Sequence, residues 1–374
     1  MLADLREKLG WFQVALATVQ THGPAARRDA GKPLLAQFRE IVSLRRGAGK
    51  LDPDEYYQYR LYDDARFSWS QKAEFLGRRL ENGLVPVLRE DWWIGLAHDK
   101  LVTAALLRGL GYPTPEIYGV YHPWRAWGSA PTLPTRQALT AFLRSRGDQP
   151  LVAKPVTGMW GKHVLAIRRY DPADDHVVLT NQSRLSPEQV ADRFDARDDP
   201  SGTLLQELLE PHPSLLELCG PRICSVRMVS LVDQAGPRLL SCVWKVATGA
   251  AMADNYWEPG NLIAPIEPET GRVGRPFTGL GRDIQFVEKH PDTGQPLTGL
   301  LLPEWRSAVA MCLDATRCIP GIPMQAWDVA LTSRGPVLLE VNVNGGMRLP
   351  QLAAGAGLYR GEFRIFLQQF GYPA

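Results

Sequence analysis

The stretch Gln325–Asn344, QAWDVALTSRGPVLLEVNVN, constrains this chain more than any other. Two runs rich in Val and Leu flank Ser333-Arg334-Gly335, and glycine is the residue a tight hairpin needs. A three-residue loop with Gly335 in the left-handed third position puts Asp328 directly across from Glu340. Asn342 and Asn344 follow at period two and share the Glu340 face. Carboxylate and amide oxygens on one sheet face make a site for Mg2+, a hard cation that wants oxygen ligands and usually shares them with phosphates. The plainer alternative is an edge hairpin whose solvent face is polar.

The rest of the composition is that of an ordinary globular protein. The 374 residues suffice for two or three lobes, with 45% hydrophobic and 22% charged residues. A formal net charge of +2 argues against a dedicated nucleic-acid binder. The five cysteines, Cys219, Cys224, Cys242, Cys312 and Cys318, contain no C-x-x-C pair, which suits reduced thiols better than a disulfide framework or a zinc site. Asp4, Arg6, Glu7 and Lys8 precede any apolar run, unlike a signal peptide, and no segment approaches the length of a membrane span. The expectation is a cytoplasmic protein with no membrane partner.

Residues 1–95 read as a helical region, with Leu5, Leu9, Phe12, Leu16 and Val19 at helical spacing and Asp52-Pro53 opening a later helix. Asp99–Leu110 is a further amphipathic helix, stopped by Gly111 and Pro113. Residues 96–210 then alternate short β-rich runs (Leu151–Lys154, Val164–Arg168, His176–Thr180, Leu204–Leu209) with one helix opened by Ser186-Pro187. Residues 211–374 are strand-rich: Ile223–Val232, Leu239–Ala247 and the hairpin, with a helix at Glu304–Arg317. Pro and Gly mark Glu258–Gly281 as a loop region.

Three further segments carry chemistry. Lys154-Pro-Val-Thr-Gly158-Met-Trp-Gly161-Lys162 is a glycine-containing loop between strands, able to fold over phosphates, or else a hairpin with an exposed lysine. Gln206-Glu207-Leu208-Leu209-Glu210-Pro211 ends an apolar strand in polar residues, as a hinge between lobes or a plain strand end would. Arg227 and Lys245 interrupt successive apolar strands, and each faces either solvent or an anionic partner, since burying a cation unpaired is costly.

In that order, Lys100, Lys154 with its loop, Gln206–Leu209, Arg227, Lys245, Asp328 and Glu340-Val-Asn342 resemble an ATP-grasp fold. The chain is similar, more narrowly, to the sugar-transfer-associated ATP-grasp family over roughly residues 50–365. The match rests on Ser225-Val-Arg227, Asp254-Asn255, Glu269-Thr-Gly271, His290-Pro-Asp-Thr-Gly294, Pro303-Glu-Trp305, Trp327-Asp328 and Gly335–Asn342. The resemblance implies an α+β fold with a helical N-terminal region, a small α/β lid and a larger C-terminal lobe. It implies that Lys100 and Lys154 bind ATP phosphates, Lys154 also lying near the adenine. Gly158 and Gly161 would belong to the phosphate loop. Gln206, the Glu207 carbonyl and the Leu209 N–H would hold the adenine edge, with Glu210 or Glu217 on the ribose. Asp328, Glu340 and Asn342 would bind one or two Mg2+, and Arg227 and Lys245 would stabilise the transferring phosphoryl group. Two departures stand out: Met159-Trp160 where relatives are Gly-rich, and Lys245 where arginine is expected.

The implied activity is ATP-dependent ligation of a carboxylate to an amine through an acylphosphate, with small-molecule substrates, aminoacyl or sugar-derived. The alternatives are a kinase acting on a hydroxyl and a non-catalytic nucleotide-binding protein of a glycan pathway. Asn255, Asn344 and Arg348 are the candidate substrate contacts, while His163, His212 and His290 read as structural. Trp92-Trp93, Tyr256-Trp257 and Trp327 read as core packing before pocket lining.

Overall fold

A computed structural model describes residues 2–84, 91–128, 130–158, 163–197, 199–343 and 346–372, with side chains from Gly10 onward except those of Asp91 and Trp92. Met159, Trp160, Gly161, Asn344 and the Trp92 side chain, all singled out above, lie outside the described residues. The chain forms thirteen helices and two seven-stranded sheets among those residues, a mixed α and β architecture.

The first sheet is built from β1 (Ile117–Tyr121), β2 (Thr132–Leu133), β3 (Leu151–Pro155), β4 (Leu165–Asp171), β5 (His176–Leu179), β6 (Arg184–Leu185) and β7 (Thr203–Glu207), in the order 2-1-7-3-4-5-6. Strand alternation gives it two different faces. On one, Leu151, Ala153, Ile167 and Leu205 pack under helices Arg136–Ser145 and Pro187–Asp195 through Leu139, Leu143, Val190 and Phe194. The second of these helices starts as expected, on a Ser186–Gln189 capping box with Pro187 in the first turn. The other face carries Val152, Lys154, Leu204 and Gln206 as cross-strand neighbours. Helix Lys100–Gly109 covers part of it, Leu101 packing with Ile117, Val120 and Leu204.

The second sheet contains β8 (Val226–Asp233), β9 (Gly236–Val246), β10 (Leu262–Ile266), β11 (Phe277–Thr278), β12 (Gln285–Phe286), β13 (Met324–Thr332) and β14 (Gly335–Asn342), in the order 12-11-10-9-8-13-14. Met228, Trp244, Ala264, Trp327 and Val329 face helix Trp305–Thr316, meeting Trp305, Ala308 and Cys312. Trp327 is thus core, its Nε1 donating to Gln325 at 3.0 Å. On the opposite face, Val243, Ile263 and Phe277 are closed by the N-terminal helices through Ala15, Val19, Ile41 and Tyr56. Val229, Leu231 and Ala326 are closed by Leu76, Leu80, Phe363 and Phe366.

One expectation fails here. The Pro/Gly-rich stretch Glu258–Gly281 is not a continuous loop, because it contains β10 and β11. The run Leu262-Ile-Ala-Pro-Ile266 is buried apart from Pro265, and it becomes a strand because β9 offers it an edge to pair with. Pro and Gly punctuate the chain on either side of that strand, which hides it from local composition.

Several of the quoted motifs turn out to be pairs. Gly271 has φ of +76°, and a Cβ there would lie 2.4 Å from the Trp305 ring, whose Nε1 donates to the Pro268 carbonyl at 2.8 Å. Asp292 accepts from the Gly249 N–H at 2.9 Å, and Thr293 donates to the Leu218 carbonyl at 2.6 Å. His290 is buried against the Ala247 carbonyl at 3.2 Å, and His212 caps helix Pro213–Cys219, so both hold structure. All five cysteines are free thiols. Among the described residues no helix is long and apolar enough to cross a membrane.

Candidate functional site

Asp328 does pair with Glu340, but by another route than a three-residue loop. The turn closes on Thr332 and Gly335 (φ +99°), and the register slips by one residue between Asp328 and Val329, leaving Leu339 without a partner. That bulge changes the phase of β14. Leu338 lies in the core with Val341 and Val343, although an uninterrupted strand would put Glu340 on the same side as Leu338. The extra residue turns Glu340 and Asn342 away from the core, to the face that carries Asp328.

On that face the side chains form one ionic cluster. Arg227, directly across from Asp328 on β8, donates Nε and Nη2 to the two carboxylate oxygens at 2.5 and 2.9 Å. Lys245 Nζ lies 3.2 Å from Asp328 Oδ2 and 3.4 Å from Asp254 Oδ1. The other Asp254 oxygen accepts from the Ser225 N–H and Oγ at 2.6 and 2.5 Å. Asp328 is 3% exposed, and burial alone would raise its pKa. Arg227 and Lys245 overcome that and hold the carboxyl well below the usual carboxylate range, aided by a contact with Glu340. Burial favours the neutral forms of both cations, but Asp328 raises Arg227, and Asp254 followed by Asp328 raises Lys245.

The first sheet and the helix that covers it supply two more cations. Lys100 Nζ lies 3.8 Å from Glu340 Oε2 and donates to the Gly158 carbonyl, while its own N–H bonds the Val156 carbonyl at 3.2 Å. Asp99, which caps this helix, is fixed in turn by an ion pair with Arg125. Lys154 points into the space between the sheets, where burial pushes its ammonium down to about 8, opposed by Glu340 and Asp328 and reinforced by Lys100. A Cβ at Gly158 would come within 2.7 Å of the Pro155 ring, so glycine is needed for the chain to leave β3 in this direction.

The segment after β7 joins the lobes. Pro211 bridges Thr332, Ser333 N–H donates to the Glu210 carbonyl at 3.2 Å, and His212 N–H to the Leu331 carbonyl at 2.9 Å. Gln206, paired with Val152, lies on the sheet face that carries Lys154, whereas Glu207, paired with Leu151, points to the helix-packed side. There its carboxylate takes Arg334 Nη2 at 2.5 Å and the Glu116 N–H at 3.1 Å, beside a cleft of about 560 Å³ lined also by Tyr118, Arg146 and Thr332. The Leu209 side chain is buried with Ala330 and Val337, and its N–H has no partner among the described residues. Glu210 and Glu217 are both exposed.

Of the candidate substrate contacts, Asn255 accepts from the Trp257 N–H at 3.3 Å. Arg348 stacks its guanidinium 4.1 Å over the Trp257 ring. Two participants carried no role in the sequence reading. Asp254 could have been found, since it stands beside Asn255 in a quoted motif. Glu81 could not: its carboxylate meets the Met347 N–H at 3.3 Å across most of the chain, with no local signature.

Asp328, Glu340 and Asn342 offer only oxygen donors to a cation, because the Asn342 amide nitrogen is turned to the Ala326 carbonyl at 3.4 Å. Such a set fits a hard divalent ion. Among the described residues no three acidic, His or Cys side chains are grouped so as to hold a metal ion by themselves, so the amide is needed as the third protein donor.

No functionally curated protein matches the sequence. Among solved structures, D-alanyl-alanine synthetase A from Vibrio cholerae is 10% identical, with 74% of this chain and 64% of that one aligned at a TM-score of 0.40. For L-amino acid ligase from Bacillus licheniformis the values are 15%, 74%, 52% and 0.37. For the biotin carboxylase domain of 2-oxoglutarate carboxylase from Hydrogenobacter thermophilus they are 11%, 71%, 45% and 0.40. The chain thus spans less than two thirds of the length of each. These partial superpositions carry no weight beside the sequence match, in which the sugar-transfer-associated ATP-grasp profile aligns with residues 89–365 and takes in the hinge, both lysines and the whole ionic cluster. By that match the chain belongs to the sugar-transfer-associated ATP-grasp family.

Proposed function

We propose that the protein is an ATP-dependent ligase that joins a carboxylate substrate to an amine and releases ADP and phosphate. The observation carrying this reading is the convergence of Lys154 of the first sheet and Lys100 of the helix that covers it on Glu340 and Asp328 of the second sheet, where Arg227 and Lys245 already lie. Four cations against Asp328, Glu340 and Asp254 leave an excess of positive charge, which a polyphosphate would balance. The ATP-grasp superfamily, to which the chain belongs, includes carboxylate–amine ligases.

In this reading ATP lies between the sheets. Lys100 and Lys154 hold its phosphates, Gly158 and Gly161 would belong to the covering loop, and the adenine edge meets Gln206 and the Leu209 N–H, which has no partner among the described residues. Mg2+, held by Asp328, Glu340 and Asn342, supplies charge neutralisation on the phosphates. Arg227 and Lys245 are preorganised by Asp328 and Asp254, so they stabilise charge on the transferring group without moving at the moment of reaction. The substrate carboxylate attacks the γ-phosphate, and the amine then displaces phosphate from the acylphosphate. No protein nucleophile is required. Asn255 and Arg348 would contact the acceptor, as would Asn344, which lies outside the described residues. We also take residues 1–95, 96–210 and 211–374 as the working units of the chain, the last two being the lobes that enclose ATP.

A screen of phosphate release from MgATP over amino acids, amines and sugar acids tests the activity. Release that needs both a carboxylate and an amine is expected; a phosphorylated hydroxyl product without release, or ATP binding with no turnover across the panel, would overturn the ligase reading. Glu340→Ala should abolish MgATP turnover with the circular dichroism spectrum unchanged. Retained turnover would remove the metal assignment.

A further inference from the structure

Beyond β14 the chain turns at Gly346-Met347 into helix Arg348–Ala354. The Arg348 guanidinium rests on Trp257, its Nε is buried, and it makes no hydrogen bond or ion pair among the described residues. A half-buried cation without an anion is costly to keep, and burial lowers its pKa. The acids nearest it are engaged elsewhere: Asp54 holds Arg78 at 2.7 Å, and Glu55 accepts from the Asp52 and Arg78 N–H groups at 2.8 and 2.9 Å. Stacking on an indole uses the face of a guanidinium and leaves its in-plane N–H groups unspent, and those match a carboxylate in two parallel hydrogen bonds.

Glu81 stands on the other side of the same turn. It comes from helix Arg78–Leu84, outside the family match, and among the described residues takes only the Met347 N–H at 3.3 Å and the Gly346 N–H. Burial pushes its carboxyl up to about 7. The turn also abuts the ionic cluster, since a Cβ on Gly346 would lie 3.2 Å from Arg227 Nη1.

We propose that Arg348, Trp257 and Glu81 form the acceptor subsite and bind the amine substrate as a zwitterion, Arg348 taking its carboxylate and Glu81 its ammonium group. The amine substrate is then an amino acid or an amino sugar acid. This rests on the ligase reading. The ammonium first gives one proton to the Glu81 carboxylate, which suits a group titrating near neutrality. The nitrogen lone pair so freed attacks the acyl carbon, the C–O bond to phosphate breaks with its electron pair leaving on phosphate, and the departing phosphate takes the second nitrogen proton.

The test is calorimetric titration of the full chain, loaded with Mg2+ and a non-hydrolysable ATP analogue, with free amino acids and with their N-acetyl and amide derivatives. At least one free amino acid should bind, and each derivative should bind about ten-fold or more weakly, the loss expected for one charged hydrogen bond. In Arg348→Gln the penalty for the amide derivative should vanish, and in Glu81→Gln the penalty for the N-acetyl derivative. Equal binding of all three forms, no binding of any, or unchanged discrimination in both variants overturns the proposal. Comparing the three ligands on the unaltered protein keeps the test decisive if a variant does not fold. Failure of the analogue itself to bind would instead strike the ATP reading, so the two failures are distinct.

Discussion

Asp328 is the residue on which the cluster turns, because two cations share its carboxylate in a nearly sealed position. With its folded pKa depressed, its contribution to stability is present above the unfolded value of about 3.9 and is lost as pH falls through the folded one. Asp328→Asn should therefore be less stable by roughly 3 kcal/mol from pH 5 to 8, with the deficit shrinking below about pH 4. Urea unfolding across that range measures it. Lys154 shifts the opposite way for a base, being pushed down to about 8 by burial. Bound phosphates would favour its ammonium form again, so nucleotide binding should take up a proton, most strongly just above pH 8. Calorimetry in buffers of different ionisation enthalpy reads that uptake, and Lys154→Met should remove it. The types of these residues were legible because lysine, arginine and paired acids are conspicuous in apolar strands. Their partners were not, since Arg227 meets Asp328 only when β8 and β13 pair.

At the level of the element, the bulge at Leu339 keeps Leu338 in the core and Glu340 on the Asp328 face. The sequence-based expectation reached the right partner for Asp328 through the wrong loop, because period-two alternation cannot reveal where one extra residue sits. Deleting Leu339 would make Glu340 the direct neighbour of Leu338, so the ladder becomes regular with Leu338 in the core and Glu340 still on the Asp328 face. The deletion should therefore fold and still bind Mg-nucleotide, and Leu339→Ala should cost only about 1–3 kcal/mol as a partly buried truncation. Thermal melts with and without MgATP check both, and a deletion variant that no longer responds to MgATP would contradict this register. The helix caps at Ser186 and Asp99 were readable because a cap is local chemistry. β10 was missed because its strand character comes from the edge of β9.

For the whole molecule, the N-terminal helices are the part that local reading placed least well. They read as a helical region of their own, yet Ala15, Val19, Ile41 and Tyr56 close the face of the second sheet that also carries the ionic cluster. A chain cut to residues 89–365 would expose Val243, Ile263, Phe277, Leu349 and Leu352 together, a patch that invites aggregation. It should bind a hydrophobic dye and precipitate, while the full chain does neither; a folded, dispersed fragment would contradict this packing. The sequence by itself determined the helix and most strand positions, the family and the residue types of the site, because periodicity, caps and charged residues in apolar strands are written along the chain. Tertiary structure alone decided which charges meet, which way Glu340 points, and that Glu81 meets the turn that leads into Arg348. Those depend on strand register and on packing between segments hundreds of residues apart, where local sequence carries no signal.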